Sequence, residues 1–390
     1  MFAPSARSVV PARLPRERRR GRADRADRPD RADRAALIAW LAGRAGVILV
    51  AVVAARVLTR GDLTQPFLDR WTQWDVDHLI EIARYGYGGD PAHPPDPGLP
   101  GFFPGFPLLL RALHVVVPDW RIAALVVSFV AGGIAMVALS RLGEQEGPPG
   151  RGTRAVVALL LSPMAVFLFA GYTEALFLAC AVPAWLLARQ GRWEAAALCG
   201  FAAGFVRITG VFLAIALVVE FLVRDRRWRR LPWLAPPFFG AAAYAAYQWA
   251  RTGDWLAWQH AQERGWGRRL VPPWEALQTT WSAAFGQHNQ FTVAFRVELL
   301  AALVGVLLTG WLAARREWPE FTYVGLQVAA LVTSAFYLSI GRSTLLWWPL
   351  WLAIGLLGVR RPRTYLALVA LFTPLLIAQI IVFTSGSWAG

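Results

Sequence analysis

The chain has 390 residues, of which 56% are hydrophobic, with a mean hydropathy of +0.41 and a formal net charge of +15. Apolar runs of about 20 residues recur from Ala35 to the C-terminus, which excludes a large water-soluble core and places the chain in the polytopic membrane class. Every basic residue is Arg, gathered in the N-terminal tail and in short loops between apolar runs, so the charge follows the positive-inside pattern rather than a nucleic-acid footprint.

In chain order, residues 1–34 hold the tract RADRADRPDRADR, too charged and too poor in apolar surface to fold alone, and are expected to form a disordered cytoplasmic tail. Residues 35–58 have full spanning length and no cleavage-site pattern, and open an integral membrane domain over 35–390. Residues 59–117 are acidic and rich in Pro and Gly, ending in FFPGFPLLLRALHVVV, which is proline-broken. They read as an external loop with short interfacial helices. Further spans are predicted at 121–141, 155–170, 174–188, 193–206, 209–223, 233–250, 294–313, 320–340, 344–358 and 364–384. The expected fold is an all-α bundle of about 11 transmembrane helices. Arg placement puts the N-terminus and the loops at 141–154, 189–192, 224–230, 315–316 and 360–363 on the cytoplasmic side. Residues 59–100, 171–174, 251–290 and 341–344 then fall on the external side. Cys180 and Cys199 lie inside apolar runs and read as core.

The densest chemistry lies in residues 71–87, WTQWDVDHLIEIARYGY. As a helix this segment puts Asp75 and His78 on one face, and Asp77, Glu81 and Arg84 on a neighbouring face. A carboxylate held near the membrane surface can take the proton of an attacking hydroxyl, and Asp75, flanked by Trp74 and Val76, is the candidate base. The Asp77 face also fits a solvated surface. Glu174 follows Tyr172 and Thr173 at a break between apolar runs, where it either favours the next helix N-terminus or serves a substrate. Arg207 interrupts AAGFVRITGVFLAIAL; an intramembrane arginine needs a partner, here Glu174 or an anionic ligand. The 251–290 loop is dense in Trp, Gln, His and Arg, suited to stacking on sugar rings and clamping phosphate, and Arg342 stands at another external helix start. The five histidines show no zinc spacing, and no Walker loop, dinucleotide fingerprint or nucleophile elbow occurs. No resident cofactor or metal is expected, although Asp75 and Asp77 form a DxD arrangement that leaves room for a divalent ion.

The ordered motifs resemble those of the PIG-V-type mannosyltransferases in their bacterial form, multi-pass glycosyltransferases of the GT-C superfamily. The resemblance runs through Trp74-Asp75-x-x-His78, Phe102-Phe103-Pro104, Tyr172-Thr173-Glu174, Arg207-x-Thr209-Gly210, Gln262-x-x-x-Trp266-Gly267-Arg268 and Arg342, over about residues 36–358. Leu79, Gly105 and Ala175 depart from the family pattern. The resemblance implies an inverting transferase of the plasma membrane that moves a sugar, mannose foremost, from a polyprenyl-phosphate donor to a hydroxyl of a lipid, glycan or protein outside the cell. It implies Asp75 as general base. Arg207, Arg268 and Arg342 are then the candidates for the lipid phosphate, Asp77 and His78 for orienting the base or acceptor, Glu174 for hydroxyls, and Gln262 and Trp266 for substrate contacts. The competing readings are a lipid or sugar transporter or flippase, and the same enzyme class with another donor sugar or a protein acceptor.

Overall fold

The computed structural model describes residues 16–57, 66–286 and 291–388, with side chains from residue 30 onward in the first segment. Parts of the expected tail (1–15), the first loop (59–65) and the long loop (287–290) lie outside the described residues. Every regular element among those described is helical, apart from one isolated bridge between Leu270 and Ser334.

Helix α1 (Arg16–Val57) begins within the expected tail, and its apolar part spans Asp30–Val57. The first loop forms two short amphipathic helices, α2 (Asp75–Tyr85) and α3 (Gly105–His114). They bury Val76, Leu79, Ile80 and Ala83 in α2 and Phe106 and Leu110 in α3. Gly105 has a structural reason: a Cβ there would stand 2.8 Å from the Phe205 carbonyl oxygen. Helix α4 (Trp120–Glu146) is capped by Asp119, whose carboxylate accepts from the backbone N–H of Arg121 and Ile122 at 2.8 and 3.2 Å. The Arg121 side chain, bonded to the same carboxylate, holds Asp119 down at about 2.

Then follow α5 (Arg151–Leu161), α6 (Thr173–Arg189), α7 (Trp193–Val206), α8 (Thr209–Glu220) and α9 (Pro236–Thr252). The long loop forms α10 (Ala257–Trp266) and α11 (Pro273–Phe285). The chain ends with α12 (Thr292–Ala314), α13 (Trp318–Val332), the single turn α14 (Ile340–Ser343), α15 (Trp348–Arg360) and α16 (Pro362–Thr384).

Four of these helices are long and apolar enough to cross a membrane: the apolar part of α1, then α4, α12 and α16; a fifth arises if Ile340–Leu346 and Trp348–Arg360, bent by 70°, make one broken span. Helices of spanning length therefore do not number the expected eleven. Most remaining apolar runs fold as helices of 11 to 17 residues. They stop where the sequence inserts Ser162-Pro163, Gly171 or Arg207; the predicted spans break at the last two, whereas Ser162-Pro163 lies inside the predicted 155–170. Side chains such as Leu41, Leu49, Leu300, Leu307, Leu366 and Leu371 face outward on the long helices, as lipid-facing surfaces do.

Helix α6 lies at the centre, packed against α4 and α7, while α5 joins α15 and α13 joins α8 and α12. Its Ala175, Ala181 and Ala184 are fully buried, and such small residues let neighbouring backbones approach closely. Inside α1, Arg44 is buried; it donates to the Ala165 carbonyl at 3.1 Å and lies over the Trp40 ring. Its position in a span was a readable signal that the sequence analysis did not use.

Candidate active site

Asp75 opens α2, where the helix dipole favours a carboxylate. The residue before it, Trp74, has φ +48°, a left-handed conformation that bulky residues avoid and that persists only where its surroundings hold it. That turn directs Asp75 toward the bundle, where its Oδ2 lies 2.7 Å from Nη1 of Arg342. One turn on, His78 lines the same pocket, as the i, i+3 spacing requires. Its Nδ1 lies 3.1 Å from Asp96 Oδ2, and its ring packs against Phe102 and edge-on to Trp266.

Glu174, in the first turn of α6, is fully buried beneath the pocket. Its Oε1 lies 2.9 Å from Nη1 of Arg207 and 3.0 Å from Nε of Arg342. Arg207 occupies the break between α7 and α8 and also donates to Thr173 Oγ1 at 2.5 Å. The charges thus form one chain, Arg207, Glu174, Arg342 and Asp75. The arginine's partner is a carboxylate of its own chain, and Arg207 also lines the pocket. Glu174 does not line the pocket; its carboxylate is the shared counter-ion of two arginines.

Arg342 sits on the single turn α14, anchored by a residue the sequence reading missed. The carboxylate of Glu298 on α12 accepts backbone N–H bonds from Ser339, Ile340 and Gly341 at 2.8, 2.6 and 3.2 Å. Three charge-assisted bonds from one buried carboxylate fix this turn and aim Arg342 across the pocket. The signal was available: Glu298 is the one acid in the apolar run VELLAALVGVLL. Arg342 also lies over the rings of Tyr172 and Phe167.

Helix α10 closes the other wall. Gln262 Nε2 and Trp258 Nε1 both donate to the Gly101 carbonyl, at 3.2 and 3.1 Å. A Cβ at Gly101 would lie 2.8 Å from Gln262 and from Trp266, so glycine permits this close approach. Arg268 follows the helix and donates to the Leu338 carbonyl at 3.2 Å. No carboxylate lies within ion-pair distance of it among the described residues. Burial, reinforced by the nearby Arg342 charge, lowers its pKa to about 10, which leaves it cationic at neutral pH. The pocket, about 190 Å3, therefore gathers three arginines against Asp75 and Glu174 and carries an excess positive charge.

Of the candidate residues, Asp75, His78, Arg207, Gln262, Trp266, Arg268 and Arg342 all line this one pocket. Asp77 is exposed on the neighbouring face of α2 and does not line it. Asp75 faces Arg342, whereas Asp77 lies exposed on the neighbouring face of the helix. A group that does converge is His78, Glu81 and Asp96, with ligand atoms within 4.8 Å of one another, a donor set able to hold a divalent ion. Tyr172, Trp258 and Trp388 complete the walls and were not singled out as site residues.

Among the described residues, fold and site define an all-α bundle with four to five candidate membrane spans and a cationic, aromatic-walled pocket formed by the first loop, α10 and α14. No family profile matches the chain. Over 161 residues it is 33% identical to GPI alpha-1,6-mannosyltransferase 2 of Homo sapiens, and 32% identical to the proteins of that name from Cricetulus griseus and Rattus norvegicus. The matched stretch takes 38% of this chain and 31% of each relative, so the match spans just under a third of those proteins. The chain is a distant homologue of these mannosyltransferases over that stretch.

Proposed function

We propose that the protein is an inverting glycosyltransferase that moves mannose from a polyprenyl-phosphate donor to a hydroxyl acceptor at the external face of a membrane. The observation that carries this reading is the juxtaposition in one pocket of Asp75, fixed by Arg342, and Arg268, a cation without a carboxylate partner. The name borne by the distant relatives supports mannose as the sugar.

In this reading the acceptor oxygen attacks the anomeric carbon and its proton passes to Asp75. The bond from that carbon to the phosphate oxygen breaks, and the electron pair leaves with the polyprenyl phosphate. Arg268 and the exposed part of Arg207 take the developing charge, the role that unpaired guanidinium donors serve best. Arg342 holds Asp75 in place and Glu174 neutralises the buried guanidinium groups behind it. Trp266 and His78 form the wall against which a sugar ring stacks. A neighbouring groove of about 320 Å3, lined by Ile82, Tyr87, Pro107, Leu108, Phe205 and Tyr247, has the apolar character that a polyprenyl chain needs.

External placement of the pocket rests on the arginine bias: the loops after α4, α6, α8, α12 and α15 carry the short-loop arginines, and the pocket lies at the other end of α6. No step requires a cofactor. The acceptor is a hydroxyl on a lipid, glycan or protein. The test is transfer of label from polyprenyl-phosphomannose to membrane acceptors, comparing membranes with and without the protein. Incorporation that depends on the protein is expected; none, with folded protein and acceptor present, overturns the reading.

A further inference from the structure

A second and larger cavity, about 770 Å3, lies at the opposite end of α6. Helix α6 begins at Thr173 in the pocket above and ends at Arg189 in this cavity, about 25 Å of helix away. The proposed transfer uses none of its residues.

Arg189 is its centre. The side chain is 4% exposed and faces three carboxylates: Glu320, to which it is hydrogen-bonded, Glu146 at 3.2 Å and Glu220 at 3.4 Å. The last two contacts are not directed hydrogen bonds. Arg189 Nε, Glu146 Oε1, Glu220 Oε2 and Glu320 Oε2 are all buried without a hydrogen-bond partner. The indole N–H groups of Trp185 and Trp348, on the same cavity wall, are likewise buried and unpartnered. Three donors and three acceptors on residues lining one cavity thus lack a directed hydrogen bond, whereas buried polar groups are normally paired. A ligand that satisfies both kinds must donate and accept at neighbouring atoms, which is the property of a hydroxyl. Aromatic walls from Trp185, Trp193 and Trp348 suit the faces of a sugar ring or a similar polyol.

The rim adds the opposite charge. Arg315 and Arg360 line the cavity, are exposed, and form no ion pair among the described residues. Two such guanidinium groups at the mouth are suited to a phosphate.

We propose that this cavity is a second binding site, for a phosphorylated sugar or polyol, whose hydroxyls engage Glu146, Glu220, Glu320 and the two indoles while its phosphate meets Arg315 and Arg360. The headgroup of a phosphoglycolipid and a soluble sugar phosphate share this chemistry. The site stands on its own geometry and does not depend on the transferase reading.

The test is calorimetric titration of the purified full-length protein in detergent with mannose 1-phosphate, mannose and inorganic phosphate. Mannose 1-phosphate is expected to bind about tenfold or more tightly than either fragment, and the Arg315→Ala/Arg360→Ala double variant to lose about tenfold or more in affinity. Arg268→Gln, at the far end of α6, is expected to remove only binding in the first pocket and to keep the component that the double variant loses, which separates the two sites. Repeating the titration in phosphatidylcholine nanodiscs with and without phosphatidylinositol distinguishes the sources. Weaker apparent affinity with phosphatidylinositol identifies a lipid headgroup as the occupant, and unchanged affinity a soluble phosphate. No measurable binding by wild type, equal affinity in the double variant, or equal binding of inorganic phosphate overturns the proposal.

Discussion

Replacing Arg268 by Gln removes a guanidinium that, among the described residues, has one hydrogen bond, to the Leu338 carbonyl, and no carboxylate partner. Little of the fold therefore depends on its charge, and burying that charge opposes folding, as its lowered pKa records. If Arg268 meets the leaving phosphate, the variant loses a hydrogen bond between charged groups, worth about 1.5–3 kcal/mol. That converts to a loss of about 10- to 150-fold in kcat/KM for the lipid donor. The assay is initial rates of transfer against polyprenyl-phosphomannose concentration, with thermal unfolding of the same preparations in detergent. The melting temperature is expected to equal or exceed that of wild type. Because Arg268 deprotonates only near pH 10, wild-type donor affinity should hold from pH 7 to 9 and fall as pH rises through about 10. The variant should lack that fall. A kcat/KM within about twofold of wild type would refute the assignment of Arg268 to phosphate.

Other substitutions separate chemistry from support. Glu174→Gln removes the shared counter-ion of Arg207 and Arg342 and should destabilise the protein by about 3–5 kcal/mol, read by denaturant or thermal unfolding; an unaltered unfolding transition would contradict the buried charge chain. Glu298→Ala leaves the N–H groups of Ser339, Ile340 and Gly341 without their acceptor. A loss of about tenfold or more in kcat is expected, and wild-type turnover would show that Arg342 is positioned by other contacts. Asp77→Asn should retain transfer within about twofold, since the residue is exposed and outside the pocket; a hundredfold loss would return it to the machinery.

Much of the site was legible because its residues break a local rule. A carboxylate beside two tryptophans, an arginine inside an apolar run and an arginine in a polar gap between spans each stand out against a hydrophobic background, and Asp75, Arg207 and Arg342 meet within one charge chain. The role of Glu174 was less legible: its sequence position fits a helix N-terminus and a ligand contact equally well, and only three-dimensional packing makes it the shared counter-ion of two arginines. Glu298 and Arg44 carry the same signal as Arg207, a charge inside an apolar run. The span count is a different matter. The runs predicted at 193–206 and 209–223 fold as helices close to those bounds but are only 14 and 12 residues long, short of a span, and Ser162-Pro163 divides the run predicted at 155–170. The large cavity around Arg189 was not readable at all, because Glu146, Arg189, Glu220 and Glu320 come from four helices far apart in the chain.

The most direct test of the transferase reading is the rate of mannose transfer by Asp75→Asn protein at saturating donor, alongside its donor affinity and melting temperature. A base in the reacting position contributes about 10²- to 10⁴-fold, so transfer is predicted to fall by at least about a hundredfold, with donor affinity and melting temperature close to wild type. Transfer within about twofold of wild type, by folded protein that still binds donor, would contradict the account.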